Sequence, residues 1–219
     1  MPPEKPIVLS SPVLTLCEGS DEQNLLGELA KHLRLSAQFF DCGGKDRFRG
    51  RFAAVVDAPQ WRRVRSLGVI RDAESDADAT VRSIKSGLEV HGLAVPDAPM
   101  VRATAEGSPD VTFLVVPFGE EAGMLEDLVL RLFHDSPSWS CQRGFFDCLE
   151  AVGTAPRKDV SKRRVLVGLA ALQTKNVALR MGEAAQMGSL DFDHPAFEEL
   201  RRFLQLVCSP AASPEVAPV

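Results

Sequence analysis

The strongest constraint on the fold is a repeated grammar in the first half of the chain: a short apolar run, an acidic or glycine-rich turn, then an amphipathic stretch. Val13–Cys17, Ala37–Asp41 and Leu67–Ile70 are the runs. Each is too short for a helix and is bounded by turn residues, as buried strands are. The stretches between them carry apolar residues at helical spacing: Leu25, Leu26, Leu29 and Leu33 in 21–33, then Phe48, Phe52 and Val55 in 48–56. After the third run, Val81, Ile84 and Leu88 repeat the pattern in 76–91. Strands alternating with helices predict parallel pairing through crossovers. Two further extended segments, Met100–Ala105 and Val111–Val116, flank Glu106–Asp110 as a hairpin or as a strand with its lead-in. From Gly123 onward only helical patterns appear, over 124–133, 137–152, 160–172 and 195–208. The expected class is α/β: a Rossmannoid, mainly parallel sheet flanked by helices, with a helical C-terminal extension. The chain divides into a core over 12–118 and the extension over 119–208. The Pro- and Ser-rich ends, 1–11 and 209–219, are expected to be disordered.

At 219 residues, with 45% hydrophobic and 25% charged residues, the chain can bury one ordinary core. No apolar run approaches the roughly 20 residues that cross a bilayer, and the N-terminus lacks signal-peptide grammar, so no membrane partner is expected and the cytoplasm is the expected compartment. The five cysteines form no C-x-x-C pair, which points to neither a disulfide framework nor a zinc site. A net charge of −5 means that phosphates must be met by local basic patches or by a metal.

In parallel α/β sheets, function collects where strand C-termini meet the following helices. Glu18 directly follows the first run, and Glu22 stands one helical turn further on. Asp72 and Glu74 follow the third run and project to one side if strand alternation persists. Carboxylates gathered without a cation repel one another, whereas Mg²⁺ or Mn²⁺ takes oxygen ligands and leaves positions for water and phosphate. Glu18, Glu22, Asp72 and Glu74 are therefore candidate metal ligands. Acids at helix N-termini also complement the helix dipole, and that alternative stands beside the first. Gly43-Gly44-Lys45 lacks the Walker pattern and reads as a tight turn presenting Lys45 to phosphate. Arg47 and Arg49, with Arg51, Arg62, Arg63 and Arg65, form either a basic ridge that steers nucleic acid or a solvated face. The four histidines share no ligand spacing, and no serine or cysteine sits in a nucleophile motif.

Glu18-Gly19 after a strand, Gly43-Gly44-Lys45-Asp46 in a loop and Asp72-x-Glu74 after a later strand together resemble the Toprim superfamily, over residues 14–76. Glu74 stands where the family usually has a second Asp. Gly123–Asp127, Lys158–Lys162 and Asp191–Pro195 look like a Toprim-like family of small stand-alone bacterial and archaeal proteins, related to the Toprim domain of overcoming-lysogenization-defect nucleases. The resemblance implies a Toprim-like Rossmannoid core, Mg²⁺-dependent phosphodiester processing of nucleic acid, and Glu18 as a catalytic as well as a metal-binding residue. It further implies a metal-binding role for Glu126 and a catalytic cation at Lys162, near the scissile phosphate. From the residues alone, an acid such as Glu126 at the start of an apolar helix is more often a solvated N-terminal acid, and Lys162 is just as easily an exposed helix end. The chain has no tyrosine, so water is the expected nucleophile. The lysogenization-type nucleases join this domain to an ATPase, which implies an ATPase partner in trans or none. The alternative keeps the fold as a non-catalytic nucleic-acid or protein-interaction module. A phosphoacceptor receiver domain ranks last, because Val115-Val116-Pro117 offers neither the hydroxyl nor the lysine that receivers carry at later strand ends.

Overall fold

The computed structural model describes residues 7–156, 160–172 and 180–209. Four strands, β1 (Val13–Cys17), β2 (Gln38–Asp41), β3 (Ser66–Asp72) and β4 (Asp110–Val116), form one sheet in the order β2-β1-β3-β4. Every pairing is parallel, with Leu14 opposite both Gln38 and Leu67, and Ser66 opposite Asp110. The crossovers are α1 (Ser20–His32), α2 (Lys45–Val56) and α3 (Ala77–Val90). The chain is thus α/β, a parallel sheet flanked by helices, and it continues into C-terminal helices.

Side-chain alternation sorts the strands onto two cores. Leu14, Leu16, Leu67, Val69, Val111, Phe113 and Val115 face α2 and α3 with Phe48, Phe52, Ile84 and Leu88. Cys17, Ile70, Leu114 and Val116 face the other way, against α1 and the later helices α4 (Leu125–Leu130), α5 (Ser138–Ala151), α6 (Val160–Leu172), α7 (Met181–Gln186) and α8 (Glu198–Cys208). Both faces are buried, which is why the strands read as nearly unbroken apolar runs.

The last helix lies directly on the sheet. Leu200, Phe203, Leu204 and Val207 are its buried face, and the Ser66 hydroxyl donates to the Val207 carbonyl at 2.6 Å. Gly68 permits this approach, since a Cβ there would stand 2.9 Å from Val207 and 3.1 Å from Phe203. Likewise a Cβ on Gly182 would stand 2.9 Å from Asn24, so α7 crosses tightly over α1.

Of the two readings of 100–116, the strand with its lead-in is the one found: 100–105 leads into β4, with one antiparallel bridge joining Ala103 to Val111 and Met100 N–H donating to the Phe113 carbonyl at 2.8 Å. Three details differ from the sequence expectations. β3 runs through Asp72, because Arg71 and Asp72 still pair with Val115 and Val116 of β4. α7 was not expected, since its six residues are too few to show a period. Residues 7–11, expected to be disordered, carry Leu9 into the core, and Ser10 and Val8 bond the Gln38 side chain. The rest of the expected disorder, 1–6 and 210–219, lies outside the described residues, as does Lys158. Among the described residues, no helix is long and apolar enough to cross a membrane.

Candidate functional site: an acidic cleft at the sheet edge

The β1 connection departs toward β2 and the β3 connection toward β4, so a crevice opens where the C-terminal ends of these neighbouring strands part. A cleft of about 400 Å³ occupies it. Glu18, Asp21, Glu22, Asp72, Glu74 and Glu126 line it, together with Lys45 and Lys162. Each reaches the cleft by a local device.

Glu18 is the first residue past β1. Gly19, next, caps α1 in an extended conformation, so its use is space rather than a tight turn: a Cβ there would stand 2.8 Å from Glu22 Oε2. Glu22 therefore folds back over the start of its own helix. Across the sheet, Gly43 and Gly44 both take positive φ, 79° and 95°, which glycine adopts freely. Gly43 N–H donates to Asp41 Oδ1 and Gly44 N–H to the Glu18 carbonyl, each at 2.6 Å. This pins the loop to the end of β1 and begins α2 at Lys45, whose Nζ lies 3.1 Å from Glu74 Oε2.

Alternation splits the end of β3. Arg71 turns toward the α2 and α3 side, where its Nε donates to Glu18 Oε1 at 2.7 Å and its guanidinium lies over Phe48 at 4.9 Å. Asp72 turns the other way and accepts from Leu125 N–H, the first residue of α4, at 2.8 Å. Beyond the strand, alternation ends. Glu74 is left-handed, at φ 57°, and is held by reciprocal hydrogen bonds with Gly123 of 2.7 and 2.8 Å. That bridge, rather than a continued pleat, brings Glu74 to the same cleft as Asp72.

Glu126 enters from the first turn of α4 and is 6% exposed. Its Oε1 lies 3.8 Å from Lys162 Nζ, while Oε2 is buried with no hydrogen-bond partner among the described residues. Burial, with like charge from its neighbours, pushes Asp72 up to about 8 and Glu22 up to about 7. Burial likewise raises Glu126 and the half-buried Asp21, in both cases against the opposing pull of Lys162.

These carboxyls suit a hard divalent cation: they are oxygen donors, they repel one another, and Glu126 keeps a buried oxygen with no hydrogen-bond partner among the described residues. Among the described residues, however, no three His, Cys, Asp or Glu side chains already stand in a ligating arrangement. Arg71 draws Glu18 aside and Lys45 draws Glu74 aside. The cleft is a gathering of donors rather than a finished cage.

Of the candidates named from sequence, Glu18, Glu22, Asp72, Glu74, Glu126, Lys45 and Lys162 meet at this cleft. Arg47 and Arg49 do not. Arg47 lies against Gly43, and Arg49 borders a separate groove between α2 and α3. Arg51 lies over Phe40, and Arg62 and Arg63 sit in a short 3-10 turn before β3. Sequence reasoning passed over two participants, Arg71 and Asp21. The signal for Arg71 was present, since a residue adjacent to Asp72 on a strand must face the opposite core.

No curated protein and no solved structure gives a significant match to this chain. The profile of one family, described as "Protein of unknown function (DUF3226)", matches residues 12–209, a span that takes in every element from β1 to α8, and the chain belongs to that family.

Proposed function

We propose that this chain is a Toprim-like, Mg²⁺- or Mn²⁺-dependent phosphodiester-processing domain, a nuclease acting on nucleic acid. The observation that carries the reading is the convergence of six carboxyls and two lysines on one cleft at the sheet's switch point. Asp72, Glu22, Glu126, Glu18 and Glu74 would hold the cation. A bound Mg²⁺ or Mn²⁺ supplies Lewis acidity and a water of lowered pKa.

The chain's own groups have separable parts in this reading. Arg71 fixes the Glu18 carboxylate by its 2.7 Å contact. Lys162, at the Glu126 side of the cleft, offsets negative charge that develops on phosphate. Lys45, exposed at the rim, meets the incoming strand. Glu22 and Asp72 carry protons near neutrality and release them when a cation takes their oxygens. An ATPase acting in trans and a cytoplasmic setting belong to the same proposal.

The test is cleavage of single- and double-stranded DNA and RNA with Mg²⁺ or Mn²⁺, by the wild type and by Asp72→Asn. Metal-dependent cleavage that falls about 100-fold or more in the variant is the expected result, on the scale of losing one essential charged group. Equal cleavage by both proteins would mark the activity as contamination and end the proposal. A second reading, a non-catalytic nucleic-acid or protein-binding module, is favoured by one observation: Glu18 and Glu74 already have cationic partners within the protein. Under it, nucleic acid binds equally well with and without chelator and is not cut.

A further inference from the structure

Behind the acidic cleft, on the α2 and α3 side of β3, residues of these three elements line a second cavity of about 340 Å³. Its lining inverts the chemistry of the first. Lys45, Arg49 and Arg71 line it with one carboxylate, Asp46, and with Ser83 and Ser86; Lys45 and Arg71 also pair with Glu74 and Glu18 of the cleft, which leaves Arg49 as the cation that faces only this space. Its floor is apolar, formed by buried residues such as Phe48, Val69 and Ile84. Arg71 is its deepest cation, with a side chain 11% exposed; Phe48 lies beneath the guanidinium, and its Nη1 donates to Ser83 Oγ at 3.2 Å. That bond and the one to Glu18 use two of its five N–H donors. Arg49 has no carboxylate partner among the described residues.

We propose that this cavity binds a phosphorylated nucleoside. Fixed guanidinium groups recognise phosphate through paired donors. The volume exceeds what a phosphate ion fills, and the apolar floor offers the remaining room to a sugar and a base. Two residues tie the cavity to the acidic cleft. Lys45 borders both, and Arg71 reaches Glu18 with one nitrogen and Ser83 with another. A nucleotide held here lies one residue away from the carboxyls, which makes it the neighbour of the phosphodiester in the cleft. This last step rests on the nuclease reading; the binding of a phosphorylated nucleoside does not.

Calorimetric titration of the full chain in EDTA with adenosine 5′-monophosphate and with adenosine tests the proposal. The monophosphate binds the wild type, and adenosine binds about tenfold or more weakly, because the phosphate contacts are missing. Arg49→Glu reverses an exposed charge, and Gly87→Leu fills the cavity from α3, where a new Cβ would stand 3.5 Å from Phe52. Each weakens monophosphate binding by about tenfold or more, with circular dichroism confirming the folded state. Asp72→Asn leaves it unchanged, which separates this site from the cleft. Tighter binding of a 5′-phosphorylated oligonucleotide than of its 5′-hydroxyl counterpart assigns the cavity to a strand end, and equal binding assigns it to a free mononucleotide. Absence of heat with the monophosphate, or unchanged affinity in a folded Arg49→Glu protein, overturns the proposal. Cleavage without nucleotide binding removes this inference alone; nucleotide binding without cleavage removes the nuclease reading alone.

Discussion

At the scale of single residues, the cleft stores electrostatic tension that pH and cations release. Asp72, raised to about 8, holds a proton in the folded state across a range where the unfolded chain, with an ordinary carboxyl near 4, has lost it. Stability therefore declines as pH rises from about 4 to 8, because the folded state binds the extra proton. Glu22, raised to about 7, adds to the same slope over a narrower window. Asp72→Asn keeps an oxygen for Leu125 N–H while removing the charge, so it should raise the melting temperature at pH 8 in chelator and leave it nearly unchanged at pH 4. The shift should be a few degrees, on the scale of about 2–4 °C per kcal/mol for a chain of this size. Thermal melts at the two pH values decide it: a variant less stable than wild type at pH 8 would contradict the account. Much of this site was legible in the sequence because acids after strand ends have few places to go. The side on which Arg71 lies was legible too, but its contact with Glu18, the left-handed turn at Glu74 and the pairing of Glu126 Oε1 with Lys162 were not, because each depends on a partner far away in the chain, namely Glu18, Gly123 and Lys162.

At the scale of elements, apolar periodicity located the four strands and most of the helices, and glycine decided how closely they pack. Gly68 is the clearest instance, lying between Val207, Thr15 and Phe203. Gly68→Val should force α8 off the sheet and cost about 1–3 kcal/mol, the usual range for overpacking a core. Urea denaturation measures this directly, and an unchanged midpoint would show that α8 does not press on β3. What the sequence hid at this scale was short or tertiary in origin. α7 has six residues, less than two turns, and its small Gly182, Ala184 and Ala185 serve contact with α1 rather than an apolar stripe. Residues 100–105 have strand-like composition but stay out of the sheet apart from the bridge at Ala103.

For the molecule as a whole, the boundary expected near residue 118 does not divide the chemistry. Leu125 supplies the backbone bond to Asp72, and Glu126 and Lys162 supply one wall of the cleft. A fragment of residues 12–118 would retain the sheet but uncover Ile70, Leu114 and Val116, which α8 and its neighbours bury. It should bind a hydrophobic dye and melt without a cooperative transition, and a sharp calorimetric peak from the fragment would show that the core stands alone. The placement of α8 also has a consequence in time. β4 ends at Val116, whereas the helix that seals the central strands ends at Cys208. A ribosome working at about 5–20 residues per second needs roughly 5–20 s to cover that interval. Throughout it, the nascent sheet presents a greasy, unfinished side to its surroundings, so the vulnerable moment in this protein's life comes during its synthesis, when a holding chaperone has most to offer.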